Sequence, residues 1–199
     1  MLVVVGGHSR NIGKTSVMAG IIGLLPEMEW TAIKITQYGH GVCATEGESC
    51  GCVVDYDHPY ALQEEHDRAS GTDSSRYLAA GAARSYWLRT AQGQLGNALP
   101  VIHRIRGDAV NAIVESNSIL QFVKPDLYLM VVDFSVADFK ESSLRYLDRA
   151  DALVVVNAGA DEPRWAGVAK RLWADKRKFF VEPPSYVNPA LRELVLLVV

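Results

Sequence analysis

The chain has 199 residues, a formal net charge of −3, 49% apolar and 22% charged residues. That suffices for one domain with a real core, and the mild negative charge offers nucleic acid or an anionic membrane no general electrostatic attraction. No apolar run approaches the roughly 18 residues that span a bilayer. Residues 2–5 are too short for a signal peptide, and three cysteines argue against a secreted disulfide scaffold, so the expected location is the cytoplasm.

Residues 2–5 read as a strand. Gly7-His8-Ser9-Arg10-Asn11-Ile12-Gly13-Lys14-Thr15-Ser16 follows, and then a helix with its apolar stripe at Val17, Met18, Ile21, Ile22 and Leu25. A strand, such a loop and a helix in this order form a phosphate cradle. The backbone N–H groups of residues 9–16 wrap a polyphosphate, Lys14 neutralises its outer phosphates, and Thr15 offers a hydroxyl to Mg²⁺. The pattern G-x-x-x-x-G-K-[ST] departs only at position 8, where His8 replaces glycine and Gly7 sits one residue early. His8 and Arg10 either reach phosphate or stand exposed; exposure is the expectation for His8. Gly20 and Gly23 are read as letting the helix approach the sheet closely.

Residues 30–36 read as a second strand, and 37–70 as a long polar insertion without periodicity. Residues 72–83 predict a helix capped by Thr72 or Asp73. A short strand at 84–89 comes next, then a partly helical stretch, 92–106, broken by Gly96 and Pro100. Apolar runs at 109–114, 127–132 and 152–156 end on Glu115, Asp133 and Asn157. Helices are expected over 142–150, with Leu144 and Leu147 inward, and over 163–175, with Pro163 in the first turn. A last strand covers 179–181, and the apolar tail 194–199 docks on the core or forms an interface edge. Continuous β-branched runs separated by helices predict an α/β fold with a mostly parallel sheet sandwiched between helices. In such sheets ligands bind beyond the carboxyl ends of the strands.

A bound triphosphate brings Mg²⁺, which takes oxygen ligands. Glu115, followed by the polar turn Ser116-Asn117-Ser118, is the first candidate for its acid and for orienting water. Asp133, with Lys140 as a prospective ion-pair partner, is the second, and Asp73 the third. Lys34 reads either as a contact to nucleotide or acceptor or as an ordinary exposed lysine.

Three stretches carry a resemblance: Gly13-Lys14-Thr15, the strand Ala32-Ile33-Lys34-Ile35, and Gly71-Thr72-Asp73-Ser74 with Ala80-Gly81-Ala82. Ile113-Val114-Glu115 is a fourth, weaker match, with Ser116 where that family has glycine. Over roughly the first 120 residues the chain resembles the molybdopterin-guanine dinucleotide biosynthesis adapter family (MobB-like), P-loop NTPases of the SIMIBI class, which also holds dethiobiotin synthetase. The resemblance implies GTP binding, slow hydrolysis, a homodimer and service to a partner enzyme in molybdenum cofactor maturation.

Cys43, Cys50 and Cys52 lie within ten residues, among His40, Glu46, Glu48, Asp55, Asp57, His58 and His66. Three thiols beside imidazoles suit Zn²⁺ or an iron–sulfur centre, with His58 or His40 as fourth ligand. The alternative is an insertion carrying free thiols. Asn157 is placed to bond a purine edge, with Pro183-Pro184 as a wall, but the Asn-Lys-x-Asp pattern of guanine sites is incomplete, and ATP and GTP both stay open. The sequence thus reads as a Mg²⁺-dependent nucleoside triphosphatase. The alternatives are a small-molecule kinase or ATP-dependent ligase, or a metallochaperone with a vestigial nucleotide site.

Overall fold

The computed structural model describes residues 1–38, 60–156, 159–160 and 162–198. The opening apolar run becomes β1 (Leu2–Gly7), and α1 (Lys14–Leu24) follows the loop. Next come β2 (Thr31–Tyr38), β3 (Tyr60–Glu65), α2 (Asp73–Ala79), β4 (Arg84–Ala91) and α3 (Leu99–Gly107). The chain continues with β5 (Ala112–Glu115), β6 (Leu127–Asp133), α4 (Glu141–Leu144), β7 (Ala152–Val156), β8 (Arg177–Val181) and α5 (Ala190–Leu196). The strands form one sheet in the order β3-β4-β2-β5-β1-β6-β7-β8. Each pairing is parallel except β3 on β4.

Period-2 alternation divides the core into two layers. Val3 and Val5 of β1 and Leu129 and Val131 of β6 pack under α1, α2 and α5, against Val17, Ile21, Tyr77, Leu191 and Val195. On the opposite face Val4, Met130 and Val155 pack with Ile102 and Ile105 of α3 and with Phe134, Trp165 and Trp173. This is a three-layer α/β fold. Because β5 and β6 flank β1 on opposite sides, connections diverge at the carboxyl end of β1, which places the loop of residues 7–16 at the switch point where open α/β sheets bind ligands.

Several elements differ from the sequence reading. Tyr60–Glu65, read as part of a polar stretch, is an antiparallel edge strand whose half-exposed side chains lack the pattern of a buried strand. Residues 163–175 are not a helix: Gly167 adopts φ +76° and only a 3₁₀ turn forms at Lys170–Leu172. Two buried tryptophans, Trp165 and Trp173, fasten this irregular segment over the sheet. The helix expected over 142–150 shortens to Glu141–Leu144, although Leu147 is buried and Leu144 packs on the core as expected. Pro100 does not break a helix; it occupies the first turn of α3. Gly20 and Gly23 face other segments, not the sheet. A Cβ on Gly20 would stand 2.8 Å from the Tyr186 carbonyl oxygen, so the 183–187 turn needs that glycine to lie against α1. Residues 194–196 of the apolar tail form the end of α5, which docks through Leu191 and Val195. The cysteine cluster and Asn157 lie outside the described residues. Among the described residues no helix is long and apolar enough to cross a membrane.

Candidate functional site

Gly13 ends the loop in the left-handed region, φ +86°, with Asn11 also left-handed at φ +55°. These turns carry the backbone from β1 into α1. Ile12 anchors the loop by burying its side chain in the layer beneath α1, while Arg10 and Asn11 stay exposed. Lys14 folds back over the loop and donates to the Ser9 carbonyl at 2.8 Å. Its side chain covers Gly7, where a Cβ would lie 2.7 Å from Lys14 Cδ. Burial lowers the Lys14 pKa, with Lys34 and Arg10 adding to the effect and Glu115 opposing it.

Glu115 is buried, 5% exposed, at the end of β5. A buried carboxylate has to be compensated, and three groups do so here. Thr15 Oγ1 donates to Glu115 Oε2 at 2.8 Å, and the Tyr77 hydroxyl donates to the same oxygen. Lys34 Nζ lies 3.4 Å from Glu115 Oε1 and 3.4 Å from Thr15 Oγ1, and also pairs with Asp73. Burial and Glu115 hold the Tyr77 phenol well above its ordinary pKa, so it remains a donor. Thr72 caps α2 by accepting from Ser75 N at 3.1 Å, which leaves the Asp73 carboxylate free to meet Lys34. Arg76, also on α2, donates to Ser16 Oγ at 2.8 Å.

The structure therefore brings Lys14, Thr15, Glu115 and Asp73 together, and keeps Asp133 apart from them. Asp133 accepts from Ser135 N and Oγ at 2.8 and 2.7 Å and forms no ion pair with Lys140. Lys34 is not the ordinary exposed lysine: it lies at the centre of the oxygen cluster. Tyr77 went unnoticed in the sequence; its spacing four residues after Asp73, on one helix face, was the available signal.

His8 is fully buried, contrary to the expected exposure. Its Nε2 accepts the Asp133 backbone N–H at 3.0 Å, so Nδ1 carries the proton and donates to the Asp138 carbonyl at 2.9 Å. Phe139 and Trp165 flank the ring at 5.2 and 5.3 Å. A satisfied neutral imidazole can thus stand where the pattern calls for glycine. Asn117, in the polar turn after Glu115, clamps the loop. It accepts from Gly7 N at 2.9 Å and donates to Gly7 O at 2.8 Å and Ser143 Oγ at 2.7 Å. Beyond Lys14 and Glu115 opens a cavity of about 480 Å³, lined by Gln37, Gln92, Ser116, Ser118, Gln121 and Arg145, among others.

Strand, left-handed loop, Lys14 at the start of α1 and an opposing strand-end acid on a parallel sheet define the fold as that of a P-loop NTPase. No protein-family model and no curated protein matches the chain. Among solved structures it is similar to HypB from Helicobacter pylori in complex with nickel, with a TM-score of 0.50 and 10% identity over 98% of this chain and 85% of that one. LpxK from Aquifex aeolicus in complex with ATP gives a TM-score of 0.49 and 14% identity over 90% of this chain and 53% of that one.

Burial lowers the His8 pKa below 6.5, with the Asp138 carbonyl opposing the shift. The unfolded chain therefore takes up this proton first as the solution is acidified. The stability that neutral His8 contributes is complete above pH 6.5 and is lost as pH falls through the lowered value. Urea midpoints measured from about pH 7.5 to about pH 5 should fall less steeply in His8→Gln than in wild type; identical acid limbs would contradict this role.

Proposed function

We propose that the chain binds a Mg²⁺–nucleoside triphosphate, ATP or GTP, at residues 9–16 and hydrolyses it slowly, as a switch or energy supply in cofactor or metal-centre maturation. The observation that carries this reading is the convergence of the Thr15 hydroxyl and the Glu115 and Asp73 carboxylates on one cation, the Lys34 ammonium, beside Lys14. A cluster of hard oxygens that already surrounds a cation fits Mg²⁺, and Thr15 and Glu115 are the residues that would hold it. When bound, the metal neutralises charge on the outer phosphate oxygens.

The chain's own groups do the rest. The amides of residues 9–16 surround the phosphates at the start of α1, whose dipole favours anions. Gly13 lets the backbone approach closely. Lys14 exchanges the Ser9 carbonyl for phosphate oxygens, and a buried ammonium neutralises charge more strongly than an exposed one. Glu115 orients the attacking water, and Tyr77 keeps that carboxylate in place. Asn117 and His8 hold the loop open between β5 and β6. The maturation role draws on the MobB-like residues quoted above and on the fold shared with HypB, whose structure contains nickel.

A second reading is favoured by the cavity beyond Lys14 and Glu115. It is of small-molecule size and stands where an acceptor would face the terminal phosphate, as in a kinase or ligase. A panel of small hydroxyl- and carboxyl-bearing compounds separates the two. Stimulated hydrolysis that Gln121→Ala abolishes supports an acceptor, and a rate indifferent to the whole panel supports the switch.

Lys14→Ala should weaken triphosphate binding about ten- to a hundredfold, the loss of one charged contact, with its thermal unfolding close to wild type. Calorimetric titration that gives equal affinities for the two proteins would overturn the assignment.

A further inference from the structure

We propose that Lys140 and Arg10 join Lys14 in a three-cation cradle for the terminal phosphate, so that residues 134–140 form a second wall of the phosphate site. This rests on the nucleotide reading above and adds to it a determinant of triphosphate over diphosphate.

The 134–140 segment is stitched to the phosphate loop. Lys140 N donates to the His8 carbonyl at 3.0 Å, the Asp138 carbonyl accepts from His8 Nδ1 at 2.9 Å, and Asp138 Oδ2 accepts from Ser9 Oγ at 2.5 Å. Any movement of this segment is therefore a movement of the loop. Charge supplies the second argument. Arg10 and Lys14 both act on Lys140 as nearby like charges, and Arg10 acts in the same way on Lys14. Among the described residues neither the Lys140 ammonium nor the Arg10 guanidinium makes a hydrogen bond or ion pair. Asp138, the opposite charge that acts on Lys140, already accepts from Ser9. Arg10 in the loop, Lys14 at the start of α1 and Lys140, bonded through its backbone to His8, act on one another as like charges, and a polyanion turns that repulsion into attraction.

Burial, with Arg10 and Lys14, pushes the Lys140 pKa down to about 8. The groups facing it are Arg10, Lys14 and Asp138, with His8 and Asp133 behind the loop. Protonated Lys140 attracts phosphate, so affinity is high below about 8 and falls as pH rises through that value. Lys14 is depressed as well, so the difference between variants is what identifies Lys140.

The test titrates the full chain, in Mg²⁺, with non-hydrolysable ATP and GTP analogues and with ADP and GDP, near pH 7 and near pH 9. Lys140→Gln should weaken the triphosphate about tenfold and the diphosphate less than about twofold, as for one charged contact to the terminal phosphate. Lys140→Arg, which stays charged, should hold its triphosphate affinity at the higher pH where wild type loses it. Unchanged affinity in Lys140→Gln, equal loss of tri- and diphosphate, or the same decline with pH in Lys140→Arg as in wild type overturns the proposal. If Lys140→Gln does not fold, Arg10→Gln decides by the same selectivity for triphosphate. Wild type that binds no nucleotide, or Lys14→Ala that binds as wild type does, sinks the nucleotide reading itself.

Discussion

A carboxylate at the end of β5 cannot lie buried without partners, and the need to compensate Glu115 organises this half of the molecule. Its partners come from three other elements: Thr15 from the start of α1, Tyr77 from α2 and Lys34 from β2. Lys34 in turn engages Asp73, which ties the first turn of α2 into the same knot. Replacing Lys34 would leave Glu115 buried without its counter-charge, a cost of order several kcal/mol. The arrangement also sets the chemistry, because the oxygens that satisfy one ammonium are the ones a divalent cation would use.

The other side of the loop is held by neutral groups. Asn117 grips both polar atoms of the Gly7 peptide, and Ser143 adds a bond to the Gly7 carbonyl at 2.8 Å. His8 reaches across to the end of β6 and to Asp138. The loop thus lies between a charged cluster at β5 and a neutral, aromatic-flanked anchor at β6.

Much of this was legible in the sequence, because period-2 runs and the loop spacing are local signals. β1, α1, β5, β6 and β7 follow directly from them, and Gly13, Lys14, Thr15 and Glu115 follow from the loop and the strand ends. What sequence could not supply was partnership across the sheet. Lys34 looked like a surface lysine because its carboxylates lie 39 and 81 residues away. His8 looked exposed because its acceptor and donor belong to residues 138 and 133. The helix expected over 163–175 failed for another reason: tryptophan burial and a left-handed glycine outweighed local propensity. The edge strand at residues 60–65 carried too little apolar alternation to be seen.

The most direct measurement is a crystal structure of the full chain with Mg²⁺ and a non-hydrolysable triphosphate in excess. The account predicts that Lys14 Nζ leaves the Ser9 carbonyl for the outer phosphates and that the Thr15 hydroxyl turns from Glu115 toward the metal. A structure in which Lys14 keeps its bond to Ser9, with the loop empty of phosphate, would contradict it.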